Sequence, residues 1–278
     1  MSDAPAIWID GREAATLPLP DRGLEFGDGL FETLLVIGGR IPLKNFHVDR
    51  LQSGLATLQF PPLGDRVEQH LDEALAALDH NANYALRITI TRGSGPRGYA
   101  PPKAPQVRVI ITATQITGDP LTMPAPASLG VSRIRWGTQP ALAGVKHLNR
   151  LEQVLAAQER QAAGWDEALM LDQAGAPVSV TAGNLFMLSG ETLVTAALED
   201  CGIAGTRRRF VIERGAPDLG LQVQVATLSL DQLLAADEVF YCNALVGLRP
   251  VGELAGKRWS DQPVCSRLFQ NYAQELHA

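Results

Sequence analysis

The chain is 278 residues long, 46% hydrophobic and 19% charged, enough to bury one sizeable core or two modest ones without disulfide or metal staples. No apolar run approaches the roughly 18 residues of a membrane span, and a net charge of −6 argues against nonspecific nucleic-acid binding. The opening Met-Ser-Asp-Ala-Pro-Ala-Ile-Trp-Ile-Asp-Gly carries an acidic residue where a secretory signal is basic and has no apolar core before a cleavage site, so a cytoplasmic protein is expected.

The first segment alternates turn signals with apolar runs. Asp10-Gly11 follows Ile7-Trp8-Ile9, and Gly38-Gly39 separates residues 31–37 from 40–43, the pattern of β-hairpins. Asn45 is placed to cap a helix whose Leu51, Leu55 and Leu58 share a face. Asp65 precedes a second helix with Val67, Leu71, Ala74, Leu75 and Leu78 on one side. Residues 84–91 alternate with period two and 107–113 read as another strand, separated by a Gly- and Pro-rich loop over 92–105.

Gly118, Pro120, Pro124 and Pro126 suit a connection between domains. The expected organisation is a smaller N-terminal α/β domain over 1–117, a linker over 118–127 and a larger C-terminal domain over 128–278. The latter opens with a strand at 131–135, a Gly-containing turn, and a helix from about Lys146 with Leu148, Leu151 and Leu155 on one face. Strand-like runs recur at 167–171, 185–188, 192–195, 222–226 and 238–241, so the fold class is α+β, mixed helix and sheet. Cys201, Cys242 and Cys265 form an odd set without zinc-site spacing, which suggests buried, reduced thiols and no metal.

Only four lysines accompany the many arginines, and planar guanidinium suits carboxylate and phosphate recognition. The segment Ala143-Gly-Val-Lys-His-Leu-Asn-Arg-Leu-Glu-Gln-Val-Leu155 resembles the lysine segment of aminodeoxychorismate lyases, in the fold type IV family of enzymes dependent on pyridoxal 5'-phosphate (PLP). The resemblance continues through Asp21-Arg-Gly-Leu-Glu-Phe-Gly-Asp-Gly29, Arg92-Gly-Ser-Gly-Pro-Arg-Gly-Tyr99, Asp166-Glu-Ala-Leu-Met-Leu-Asp172, Asn184-Leu-Phe186 and Ala236-Asp-Glu-Val-Phe-Tyr-Cys-Asn-Ala244, in family order over nearly the whole chain. It implies a two-domain fold like that of D-amino acid aminotransferase, with PLP between the domains, and a homodimer. The implied reaction is elimination of pyruvate from 4-amino-4-deoxychorismate to give 4-aminobenzoate for folate. The alternative is a fold type IV aminotransferase acting on D-amino or branched-chain amino acids.

Such an enzyme needs one lysine to hold the cofactor and move protons, kept partly neutral by its surroundings. Lys44 precedes an exposed helix, Lys103 lies in a Pro-rich loop, and Lys257 sits beside Gly256 and Arg258. Lys146 follows Ala-Leu-Ala-Gly-Val and is the best candidate, as the resemblance also implies. By the same resemblance, Arg50 reaches the cofactor phosphate, although an arginine there would by itself read as a surface charge. Gly202-Ile-Ala-Gly-Thr-Arg-Arg-Arg209 looks like the phosphate cradle, with Gly205 and Thr206 presenting amides at a helix start. The resemblance also implies a second phosphate contact at Asn243 and Ala244, with Asn243 near substrate. The resemblance implies that Arg97 faces a substrate carboxylate and that Tyr99 and Phe31 are further substrate contacts.

One position departs from the family. Most members place a glutamate five residues before Asn-Leu-Phe, where it pairs with the protonated pyridine nitrogen; here that residue is Ser179, and Ala176-Pro-Val-Ser-Val-Thr-Ala-Gly183 contains no carboxylate. A hydroxyl does not hold that nitrogen protonated as an anion does, so the ring is a weaker electron sink. Aminotransfer must store charge until the proton returns, whereas elimination can expel a leaving group as the proton departs. Ser179 therefore favours a lyase.

Overall fold

The structure, a computed structural model, describes residues 5–14 and 16–277. Residues 1–4, which carry part of the reading against a leader, lie outside the described residues. Packing divides the chain into two compact units: the chain up to Gly118 together with Val145–Asn149, and Asp119–Gly144 together with Arg150 onward.

The first unit contains strands β1 (Ala6–Ile9), β2 (Arg12–Glu13), β3 (Gly29–Val36), β4 (Tyr84–Thr91) and β5 (Arg108–Gln115), with helices α1 (Arg22–Phe26), α2 (Lys44–Thr57) and α3 (Arg66–Ala76). The strands pair antiparallel in the order β2-β1-β5-β4-β3. Leu30, Leu34, Leu86, Ile88 and Ile90 of the sheet bury against Val67, Leu71 and Ala74 of α3, which is the helix face read from the sequence. Two expectations change. Residues 40–43 form no strand beyond a bridge between Ile37 and Arg40. Leu43, with φ 57, is the residue that caps α2, so Asn45 lies inside the helix and caps nothing. The short α1 has no apolar period to announce it; Asp21 starts it by accepting a hydrogen bond from the Gly23 amide at 2.8 Å.

The second unit contains β6 (Ala127–Arg135), β7 (Glu167–Leu171), β8 (Pro177–Val180), β9 (Gly183–Ser189), β10 (Thr192–Ala196), β11 (Gln222–Ala226), β12 (Glu238–Asn243), β13 (Gly247–Leu254) and β14 (Lys257–Arg258). Its helices are α4 (Leu151–Ala163), α5 (Thr206–Phe210), α6 (Ala216–Asp218), α7 (Leu230–Ala235) and α8 (Pro263–His277), with a π-helical turn, Val211–Gly215, joining α5 to α6. The strands run β11-β10-β9-β12-β13-β6-β7-β8, and β8 also pairs with β9. The ring β9-β12-β13-β6-β7-β8 is therefore closed, which removes its edges. Leu169, Leu185, Val239 and Val251 fill a core against Leu233 of α7 and Trp259.

The helix expected from about Lys146 begins instead at Leu151. Residues 145–149 run along β3: the Phe31 amide donates to the Lys146 carbonyl at 3.0 Å and the Leu148 amide to the Gly29 carbonyl at 3.0 Å. Those bonds take backbone groups that a helical turn would need. Leu151 and Leu155 are exposed, and Ala156 is the buried residue of α4. All three cysteines are free and buried, and burial pushes the thiols of Cys201 and Cys242 up to about 11 and about 12. No described helix is long and apolar enough to cross a membrane.

Candidate active site

The strap over 145–149 fixes where Lys146 points. With its carbonyl tied to β3, its Nζ lies 4.1 Å from the centroid of the Phe31 ring. The guanidinium of Arg87, on the neighbouring β4, lies 3.9 Å from the same centroid, and its Nε donates to Thr89 Oγ1 at 3.2 Å. Phe31 thus holds two cations through its ring quadrupole. Sequence reasoning named Lys146 and Phe31 and missed Arg87. Its signal was the single charged residue in a strand otherwise built of Tyr84, aliphatic residues and threonines.

Arg50 does not stand as an isolated surface charge. Its Nε donates to Glu32 Oε1 at 2.7 Å and its NH2 to Glu32 Oε2 at 2.5 Å, while His47 Nδ1 lies 2.7 Å from Oε2. Burial pushes the Glu32 carboxyl up, but Arg50 and His47 more than offset this and hold it at about 2. The ion pair orients the guanidinium plane. His47 and Arg50, three apart on α2, share a face toward β3, a spacing from which the cluster could have been read.

Arg97 and Tyr99 stand exposed on the loop over 92–105, with the Tyr99 ring edge-on to Phe26 at 5.5 Å. Of the expected substrate contacts, Phe31 is brought to Lys146, and these two are displayed on the loop. The loop itself is braced. Buried Arg22 donates to the carbonyls of Gly98 at 3.0 Å, Tyr99 at 2.7 Å and Ala100 at 3.4 Å, and to Asp28 at 2.9 Å. Asp28 also accepts from Arg92 Nε at 2.9 Å.

In the second unit, Ser179 lies buried on β8, opposite Asn184 in the register with β9. Its Oγ accepts a hydrogen bond from Trp136 Nε1 at 2.9 Å. Asn184 Nδ2 donates to the Ile203 carbonyl at 2.9 Å, and a Cβ on Gly205 would fall 2.0 Å from Asn184 Oδ1. Only glycine fits there without displacing the asparagine. Gly205 is the N-cap of α5 and has no side chain with which to accept from the first-turn amides, an arrangement suited to an anion.

Gly144, two residues before Lys146, is locked to this turn by Gly144 N to Gly202 O and Ala204 N to Gly144 O, both 3.0 Å. Thr206 and Arg207 are buried, and Arg207 donates to the Tyr272 hydroxyl at 2.9 Å and the Ala244 carbonyl at 3.2 Å. Asn243 uses its side chain to close its own turn, accepting from the Leu245 and Val246 amides at 3.0 and 2.8 Å and donating to the Ala182 carbonyl at 2.9 Å.

These residues fit a phosphorylated cofactor. A glycine-capped helix start carries arginines in its first turn, and Arg208 Nε is buried without a hydrogen-bond partner among the described residues. A buried cationic donor is the group that an anion satisfies. Among the described residues, no cluster of His, Cys, Asp or Glu could hold a metal ion.

The profile of the family described as Amino-transferase class IV matches residues 29–254. The aminodeoxychorismate lyase of Vibrio harveyi is 36% identical over 250 residues, 90% of this chain and 91% of that relative. Among solved structures, the 4-amino-4-deoxychorismate lyase from Pseudomonas aeruginosa aligns with a TM-score of 0.88 and 38% identity, covering 98% of this chain and 100% of that one. A T.th. branched-chain amino acid aminotransferase, solved with pyridoxamine 5'-phosphate, aligns with a TM-score of 0.83 and 25% identity, covering 98% and 93%.

Proposed function

The chain belongs to the amino-transferase class IV family, and from that premise we propose that it eliminates pyruvate from 4-amino-4-deoxychorismate and leaves 4-aminobenzoate, a precursor of folate. It is a PLP-dependent enzyme of fold type IV. The observation that carries the proposed reaction is the pair of cations on Phe31. An amine that can move a proton and a guanidinium fork suited to carboxylate lie against one aromatic ring, and the proposed substrate is a dicarboxylate whose ring becomes aromatic. The similarity to two lyases over nearly the whole chain supports the same reading.

Bound PLP supplies the electron sink that makes the proton on the amine-bearing ring carbon removable. Lys146 would hold the cofactor through its Nζ, and the same amine, when free, is the group placed to take that proton. The C–H electron pair becomes the last double bond of the ring as the C–O bond to the enolpyruvyl group on the neighbouring carbon breaks. Lys146 returns the proton to the methylene carbon of the departing enolate, which completes pyruvate, and the balance needs no water. In the first unit we assign Arg50, oriented by Glu32, to the phosphate, and Arg97, Tyr99, Phe31 and Arg87 to the substrate. In the second, the Gly205 and Thr206 amides and the turn at Asn243 and Ala244 serve the phosphate, and Ser179 faces the pyridine nitrogen.

Ser179 takes its hydrogen bond from an indole rather than offering a carboxylate, which favours elimination over the aminotransfer for which the branched-chain relative is named. The three buried thiols suit the reducing cytoplasm. Leu151, Val154 and Leu155 form an exposed apolar stripe on α4, which supports a homodimer. Enzymatically generated 4-amino-4-deoxychorismate is expected to yield 4-aminobenzoate with the wild-type protein and none with Lys146→Ala. Product formation that survives this substitution would remove the lysine from the reaction.

A further inference from the structure

We propose that Trp136 and Ser179 act as a pair that binds the pyridine nitrogen of the cofactor in its unprotonated form, with Trp136 fixing Ser179 as the donor. This rests on the reading above, in which PLP is the cofactor and Ser179 faces its ring.

A serine hydroxyl has one proton to give and two lone pairs, so alone it can serve a pyridine nitrogen either way. An indole N–H can only donate. At 2.9 Å, Trp136 Nε1 occupies one lone pair of Ser179 Oγ, and both side chains are buried, so the arrangement is held by packing. Arg150 lies over the indole with its guanidinium carbon 5.4 Å from the ring centroid. A cation there draws electron density from the ring and strengthens the N–H as a donor.

Among the described residues, no carboxylate hydrogen-bonds to Trp136 or Ser179 to reverse this. Trp136 packs with Ala156, Met170, Val178 and Cys201, and the Cys201 thiol, raised to about 11 by burial and by the carboxylates of Asp172, Asp200 and Glu152, stays neutral. Two of those carboxylates have donors of their own: Asp172 accepts from the Ala176 amide at 2.8 Å, and Glu152 accepts from the Gly137 amide at 2.9 Å and acts on Arg150. The register neighbours of Ser179 are Met170 and Asn184, both neutral.

A protonated nitrogen here would be a buried cation facing a hydroxyl that already accepts from a cation-polarised donor, and no adjoining anion would compensate its desolvation. An unprotonated nitrogen is an acceptor, and the remaining Ser179 proton satisfies it. The indole N–H, the hydroxyl and the ring nitrogen are then all paired. Trp136 is in this sense a positioning residue, acting through Ser179.

The test is nitrogen-15 NMR of the holoenzyme reconstituted with PLP labelled at the pyridine nitrogen. The wild-type resonance is expected in the free-base range. Ser179→Ala, which removes the donor, and Trp136→Phe, which frees the hydroxyl to rotate, are expected to move it toward a pyridine without a hydrogen bond. Ser179→Glu is expected to move it into the protonated range. A wild-type resonance in the protonated range overturns the proposal without any variant, and so does a Ser179→Ala resonance identical to wild type. Failure of the underlying reading would look different: no bound label at all, which would remove the cofactor and this proposal together.

Discussion

Glu32 keeps its charge in the interior because two donors of Arg50 and one nitrogen of His47 surround it. Its carboxyl at about 2 lies below the ordinary 4.5, so the stabilisation is complete above pH 4.5 and is lost as pH falls toward 2. Glu32→Gln removes the buried carboxylate that pairs with half-buried Arg50 and with His47 and is expected to cost about 3 kcal/mol near neutrality. Thermal melts of the two proteins across that acid range check this; the gap should narrow as pH falls, and a constant gap would mean that packing, not charge, is the cause. The expectations for Lys146 and Arg50 rest on a long motif around the one and on family order for the other. Arg87 and Trp136 were not legible, because each acts through a residue distant in sequence, Phe31 and Ser179, and only strand pairing brings them together.

Elements with a strong period were read correctly. The alternation over 84–91 is β4, the face of Val67, Leu71 and Ala74 is that of α3, and β7 and β11 fall on the expected residues. β8 and β13 were missed because the first has four residues beginning with a proline and the second interrupts its apolar pattern with Arg249, Pro250 and Glu253. The apolar spacing at 148–155 suggested one helix, but β3 captured its first part by main-chain bonds, a tertiary contact no local pattern announces. The loop over 92–105 was readable as a loop; its rigidity was not, since that comes from Arg22, some 76 residues away in sequence. Arg22→Lys keeps the charge but cannot span three carbonyls and Asp28. KM for the substrate is expected to rise about tenfold with kcat little changed. Steady-state kinetics decide, and an unchanged KM would separate Arg97 and Tyr99 from substrate binding or Arg22 from their placement.

Each of the two units has its own core, and in the second the closed ring of strands anchors the turn over 202–206 through Asn184 and Gly144. The composition anticipated this capacity for two cores, and family order anticipated the fold. The exposed α4 stripe is the surface proposed above for the homodimer. Light scattering is expected to give a dimer mass, lowered to that of a monomer by Leu151→Glu with Leu155→Glu; a monomeric wild-type protein would leave the stripe unexplained. The central claim is that this fold type IV enzyme eliminates rather than transfers. The direct measurement follows pyruvate and 4-aminobenzoate together from one preparation of 4-amino-4-deoxychorismate, with D-alanine and leucine offered separately with 2-oxoglutarate. Equal amounts of the two products, with negligible amino transfer, are predicted. Efficient amino transfer without 4-aminobenzoate would contradict the account and make the chain an aminotransferase.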